Sequence, residues 1–129
     1  MATSHIALLF LVFVIAEHRT YGGTDPPPEA LSPEFPAAAY VKSLAKGVRP
    51  QFEKLSNIEV RMFDAITYRT EIRDGKTYFV KVNIDEDHYS HLRIYDPRPL
   101  PGKEPKLAGF MLNKTRWDPI SYIPEQWRN

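Results

Sequence analysis

Asp74-Gly75 is the strongest short hairpin signal in this chain, and it separates two stretches whose side chains alternate with a period of two. Glycine tolerates the positive φ of a tight reverse turn. Ahead of it, Val60, Met62, Ile66, Tyr68 and Ile72 fall on one face, interrupted by Asp64, and Arg61, Phe63, Thr67 and Arg69 fall on the other. Beyond it the chain returns as Lys76-Thr77-Tyr78-Phe79-Val80-Lys81-Val82-Asn83-Ile84. Asp85-Glu86-Asp87 makes a second turn, and His88 to Tyr95 forms a third strand. Asp96 to Lys106 contains Pro97, Pro99, Pro101 and Pro105, which excludes a central strand. Leu107 to Leu112 and Trp117 to Ile123 are each predicted as a further strand.

A helix precedes this meander. Pro36 suits a first helical position, and Ala37-Ala38-Ala39 are strong helix formers. Val41, Leu44, Val48 and Leu55 recur at helical spacing with Phe52 beside the same stripe, a core-packing pattern. Gly47 and Pro50 weaken the middle, and Pro50 is expected to kink the helix or shorten its regular part. One helix followed by antiparallel strands is an α+β plan: a long helix packed across a four- to five-stranded sheet.

The 129 residues suffice for one domain, and 17 basic against 16 acidic residues give no electrostatic case for nucleic acid. A mean hydropathy of −0.41 excludes a polytopic membrane protein. The absence of cysteine removes disulfides, thiolate metal sites and a cysteine nucleophile at once.

Ile6 to Ala16 is an uninterrupted apolar run of 11 residues, short of the roughly 20 needed to span a bilayer. Its length fits a signal-peptide core, with cleavage expected after Ala16 or near Tyr21-Gly22-Gly23, although residues 1–5 lack Lys and Arg. The expected organisation is a signal peptide over 1–16 (or 1–22) and a Pro-rich extended arm over 23–35. A domain over 36–123 and a tail over 124–129 follow. The mature protein is expected to be a secreted monomer away from the membrane, or cytosolic if the leader is not a functional signal. Asn113-Lys114-Thr115 is a glycosylation sequon that has meaning only after export, with Asn113 the acceptor.

No motif supports an enzyme. Phosphate-loop, nucleophile-elbow and His-Glu-x-x-His patterns do not occur. His88 and His91 stand near an acidic turn, but positions i and i+3 of a strand face opposite ways, so a surface turn is the better reading than a metal site. No cofactor is expected.

The order of a Pro-Ala helix start at Pro36, then Glu71-Ile72-Arg73-Asp74-Gly75, Tyr78-Phe79-Val80-Lys81-Val82, Leu92-Arg93-Ile94-Tyr95, Asn113-Lys114 and Tyr122-Ile123 resembles the cystatin superfamily. The cysteine-free branch, the stefins, is the nearer likeness. That resemblance implies a helix gripped by a twisted antiparallel sheet. It also implies reversible inhibition of papain-like, cathepsin-type cysteine proteases by a three-part wedge. The parts would be an N-terminal arm at Glu29, Ala30 and Leu31, a first hairpin at Glu71, Ile72, Arg73, Asp74 and Gly75, and a second hairpin at Arg98, Pro99, Leu100 and Pro101.

The match to the wedge is partial. Where the family has Gln-x-Val-x-Gly, this chain keeps the glycine as Gly75 but has Glu71 and Arg73, with Asp74 before the glycine. The family's arm glycine falls at Glu29, and its second-hairpin Leu-Pro falls at Arg98-Pro99, or at Leu100-Pro101 if the loop slips by two. Two charges at a desolvated tip are expected to cost affinity, so replacing Arg73 by Val and Asp74 by Ala is expected to tighten binding. The alternative is a cystatin-fold matrix or interaction protein with weak or no inhibition.

Overall fold

The computed structural model describes residues 30–126. The signal peptide expected over 1–16 or 1–22, the Pro-rich arm as far as Glu29, and residues 127–129 lie outside the described residues. The elements run β1 (Phe35–Pro36), α1 (Ala39–Ser56), β2 (Asp64–Thr70), β3 (Thr77–Asp85), β4 (His88–Tyr95) and β5 (Lys106–Lys114). The sheet order is β1-β2-β3-β4-β5 with every pair antiparallel, so the α+β meander read from the sequence is the observed plan.

The apolar stripe of α1 builds the main core. Val41, Ala45, Val48 and Phe52 meet Ala65, Val80, Val82, Leu92, Ile94 and Leu107. Phe52 is wholly buried, with the rings of Phe63 and Phe110 each 5.2 Å from its own. A side chain of this size contributes about 1.5–3 kcal/mol by leaving water.

The helix differs from expectation at three points. Pro36 is in edge strand β1, where its missing N–H costs no ladder bond, and α1 begins at Ala39. The helix runs through Gly47 and Pro50 to Ser56 without being shortened, and both residues lie on its exposed side. Leu55 is 44% exposed and outside the core stripe. Asn57, with φ of 63°, ends the helix by donating its N–H to the Glu53 carbonyl.

Ile58 to Phe63 is not strand. The backbone of Val60 is satisfied by helix side chains: its N–H donates to Glu53 Oε2 at 3.0 Å and its carbonyl accepts from Arg49 Nη2 at 2.7 Å. In β2, Ala65 pairs with Val82 and Thr67 with Lys81, leaving Ile66 as the extra residue of a bulge. The bulge explains the interruption at Asp64. The strand changes phase there, so Ala65 takes the core position and Asp64 stays in water.

The sheet face away from α1 carries a second cluster of Leu31, Phe79, Ile120 and Ile123. Trp117 to Ile123 is not a strand but a coil laid across this face. Pro119 and Pro124 lack donors, and basic side chains of the sheet serve the segment's carbonyls instead. Arg69 donates to the Ile120 carbonyl, Lys81 to Arg116 at 2.8 Å and Arg93 to Ile123 at 2.8 Å. The packed unit extends beyond 36–123 at both ends, since Leu31 is buried and the Gln126 N–H donates to the Ala108 carbonyl at 2.8 Å.

His91 lies beneath this coil with no exposed surface, which corrects the surface-turn reading. Its place on the outward phase of β4 under the 115–123 segment accounts for the burial. Neither ring nitrogen has a hydrogen-bond partner. Burial, reinforced by Lys114 and Lys81, lowers its pKa to about 4. His88, by contrast, is exposed.

Candidate functional site

Three segments meet at one end of the sheet. Thr77 pairs with Tyr95 and Tyr95 with Lys106, so the loop before β3 and the loop between β4 and β5 leave the same edge. Leu31 forms an isolated bridge with Glu71, which brings the arm beside the first loop.

The first loop is wider than a two-residue turn. Glu71 donates to the Thr77 carbonyl at 3.0 Å, and the Gly75 N–H donates to the Glu71 carbonyl at 2.9 Å. Gly75 has φ of 63°, the positive value its position demanded. Asp74 is a loop staple: Oδ1 accepts from the Lys76 and Thr77 N–H groups at 2.8 and 3.1 Å, and Oδ2 from Thr77 Oγ1 at 2.9 Å. Arg73 Nη2 reaches Glu71 Oε2 at 3.1 Å. The two charges expected to cost affinity at the tip therefore both have partners within the loop. Ile72, 59% exposed, is the apolar point of the loop.

The arm is fixed to β2. The Ala30 carbonyl accepts from the Ile72 N–H at 2.7 Å, and Ser32 donates to the Thr70 carbonyl at 2.8 Å while its Oγ accepts from the Thr70 N–H at 2.9 Å. Leu31 points into the second core cluster and keeps only 6% of its surface exposed. Glu29 lies outside the described residues.

In the second loop, Leu100 is half-exposed, Lys103 closes a turn onto the Leu100 carbonyl at 3.2 Å, and Gly102 has φ of 73°. The loop starts from a residue that the sequence did not single out. Asp96 is 3% exposed and accepts from the Tyr40 hydroxyl, from Arg98 Nε at 2.9 Å and from the Arg98 N–H at 3.2 Å. Its own N–H donates to the Lys76 carbonyl in the first loop at 2.9 Å. Burial pushes the Asp96 carboxyl up, but the bonds from Arg98 and Tyr40 outweigh it and hold the group below the ordinary carboxylate range. The same bond to Asp96 raises the Tyr40 hydroxyl above its usual value. Tyr40 and Asp96 are 56 residues apart, so no local pattern announces the pair.

Asn113 is elsewhere. It is exposed near the end of β5, where Tyr89 pairs with Lys114, at the edge opposite the loops, and has φ of 59°. Among the described residues no group of three or more His, Asp or Glu is placed to hold a metal ion.

Residues 30–117 match the family model described as Cystatin domain. The chain is similar to Cystatin-B of Bos taurus, 33% identical over 88 residues, which span 68% of this chain and 90% of the relative. It is also similar to Cystatin-A of Felis catus, 30% identical over 94 residues, or 73% and 96% of the two chains. A third relative, Leukocyte cysteine proteinase inhibitor 1 of Sus scrofa, is 31% identical over 86 residues, covering 67% and 84%.

Proposed function

This chain belongs to the cystatin family as a stefin-like member, and from that premise we propose that it is a reversible inhibitor of papain-like, cathepsin-type cysteine proteases. The observation that carries the reading is the gathering of the arm, the Glu71–Thr77 loop and the Asp96–Pro105 loop at one sheet end. Ile72 and Leu100 are its exposed apolar points. Such an edge enters a protease cleft as a wedge, burying apolar surface without laying a scissile peptide bond against the nucleophile. Because the first loop is already closed by its own hydrogen bonds, little of its ordering entropy is lost on binding. Arg73 and Asp74 bring partners with them, which offsets part of the cost of removing their charges from water.

The apolar run Ile6 to Ala16 supports export, and the exposed Asn113 at the far edge of the sheet leaves the wedge clear if it carries a glycan. We propose a secreted monomer cut after Ala16 or near Gly22. N-terminal sequencing of exported material checks this, and a start at Met1 would overturn it.

A second reading, a cystatin-fold matrix or interaction protein with weak or no inhibition, draws on the inward-turned Leu31, whose side chain packs in the second core cluster instead of facing the cleft. Titration of papain and a cathepsin with the secreted chain separates the two. One-to-one reversible inhibition supports the inhibitor, whereas full protease activity at micromolar chain would leave the interaction protein.

A further inference from the structure

Asp96 ties the start of the second loop to α1 and to the first loop, while Gln51 of α1 holds its far end through the Pro105 carbonyl at 3.1 Å. The carboxylate of Asp96 holds Tyr40 at the start of α1 and both the backbone and guanidinium of Arg98 within the loop. Through its N–H it is bonded to Lys76 of the first loop. The Arg98 guanidinium lies over the Tyr40 ring, 5.6 Å from its centroid, which closes a three-residue cluster. A carboxylate only 3% exposed is retained at a sheet edge because these donors satisfy it, and the arrangement permits one direction for the chain leaving β4. The loop beyond has few bonds of its own: the only internal backbone bonds among its described residues are the two 3.2 Å turn contacts, Leu100 to Pro97 and Lys103 to Leu100.

We propose that Asp96 is a positioning residue for protease binding, fixing Pro99-Leu100 against the first loop through Tyr40 and Arg98. The inference rests on the wedge reading above, since it assigns Asp96 a part in that same edge. A carboxylate that locks the loop before the protease arrives removes an ordering cost from binding, and its loss appears mainly as faster dissociation.

The test measures association and dissociation rates with papain for the wild type, Asp96→Ala, Leu100→Ala and the double variant, alongside their thermal midpoints. The expected result is at least tenfold faster dissociation for Asp96→Ala, with little further change when Leu100→Ala is added, because both act through one loop. Tyr40→Phe removes only a hydroxyl from a half-exposed ring. It is expected to accelerate dissociation severalfold, and it keeps the question open to measurement should Asp96→Ala fail to fold. Unchanged dissociation in Tyr40→Phe and Asp96→Ala, or additive effects of Asp96→Ala and Leu100→Ala, would overturn the role of Asp96 while leaving inhibition standing. A wild type that inhibits no papain-like protease would instead remove the wedge reading and this inference with it.

Discussion

Asp74 closes the first loop on Thr77, accepting from both its N–H and its hydroxyl with one carboxylate. A residue that looks like a misplaced charge in the sequence is a structural part of the loop. Asp74→Ala should therefore destabilise the loop by about 1–2 kcal/mol and weaken protease binding, contrary to the gain expected from the sequence. Arg73→Val is different, because it leaves the Asp74 bonds in place and adds apolar surface at the tip, which outweighs taking the guanidinium from the largely buried Glu71 carboxylate. Inhibition constants for the two single variants should move in opposite directions, and a parallel gain would show that the Asp74 bonds contribute nothing.

Gly75 gives a cleaner backbone test. Nothing lies within 4 Å of where its Cβ would be, so any cost of a side chain there comes from φ alone. Gly75→Val should lower stability by about 1–2 kcal/mol, while Gly75→Asn, whose side chain tolerates the left-handed region, should cost much less. Equal thermal midpoints for the two variants would mean that the loop does not keep this backbone.

Gly109 tests the coil across the outer face by space instead. A Cβ there would meet the Pro124 carbonyl oxygen at 2.9 Å and Ile123 Cγ2 at 3.2 Å. Gly109→Ala should push the 120–126 segment off β5, costing about 1–3 kcal/mol. Hydrogen exchange should show faster exchange at the Gln126 amide, and unchanged protection there would contradict the packing.

The helix, the three central strands and the turn glycine were legible because each rests on a local period or a local backbone need. Val48 and Phe52, or Val80 and Val82, announce a buried face by spacing alone. Ile66 as a bulge was not legible, because only pairing against Lys81 and Val82 reveals an extra residue. Ile120 and Ile123 read as strand since their burial resembles a strand's. What makes them coil is the reach of Arg69 and Arg93 from distant strands to their carbonyls. The Asp96–Tyr40 pair was silent for the same reason, whereas the loops it joins were visible as proline and glycine punctuation.

His91 makes the outer layer sensitive to acid. In the unfolded chain its imidazole titrates near 6.5, and in the fold burial beside Lys114 and Lys81 lowers this to about 4. Between those values the unfolded state binds the extra proton, so stability is full above about pH 6.5 and is lost as pH falls through the folded value. The loss amounts to about 3 kcal/mol at the lower limit, because each pKa unit corresponds to about 1.4 kcal/mol. Glu34 and Asp118, also near the ring, are held below their ordinary values and add their own loss at lower pH. His91→Leu keeps the volume close and removes the titrating group together with two unpartnered buried nitrogens. Urea midpoints measured from pH 7 to pH 4 should fall steeply for the wild type and much less for the variant. Parallel declines would assign the acid sensitivity to the carboxylates and remove His91 from the account.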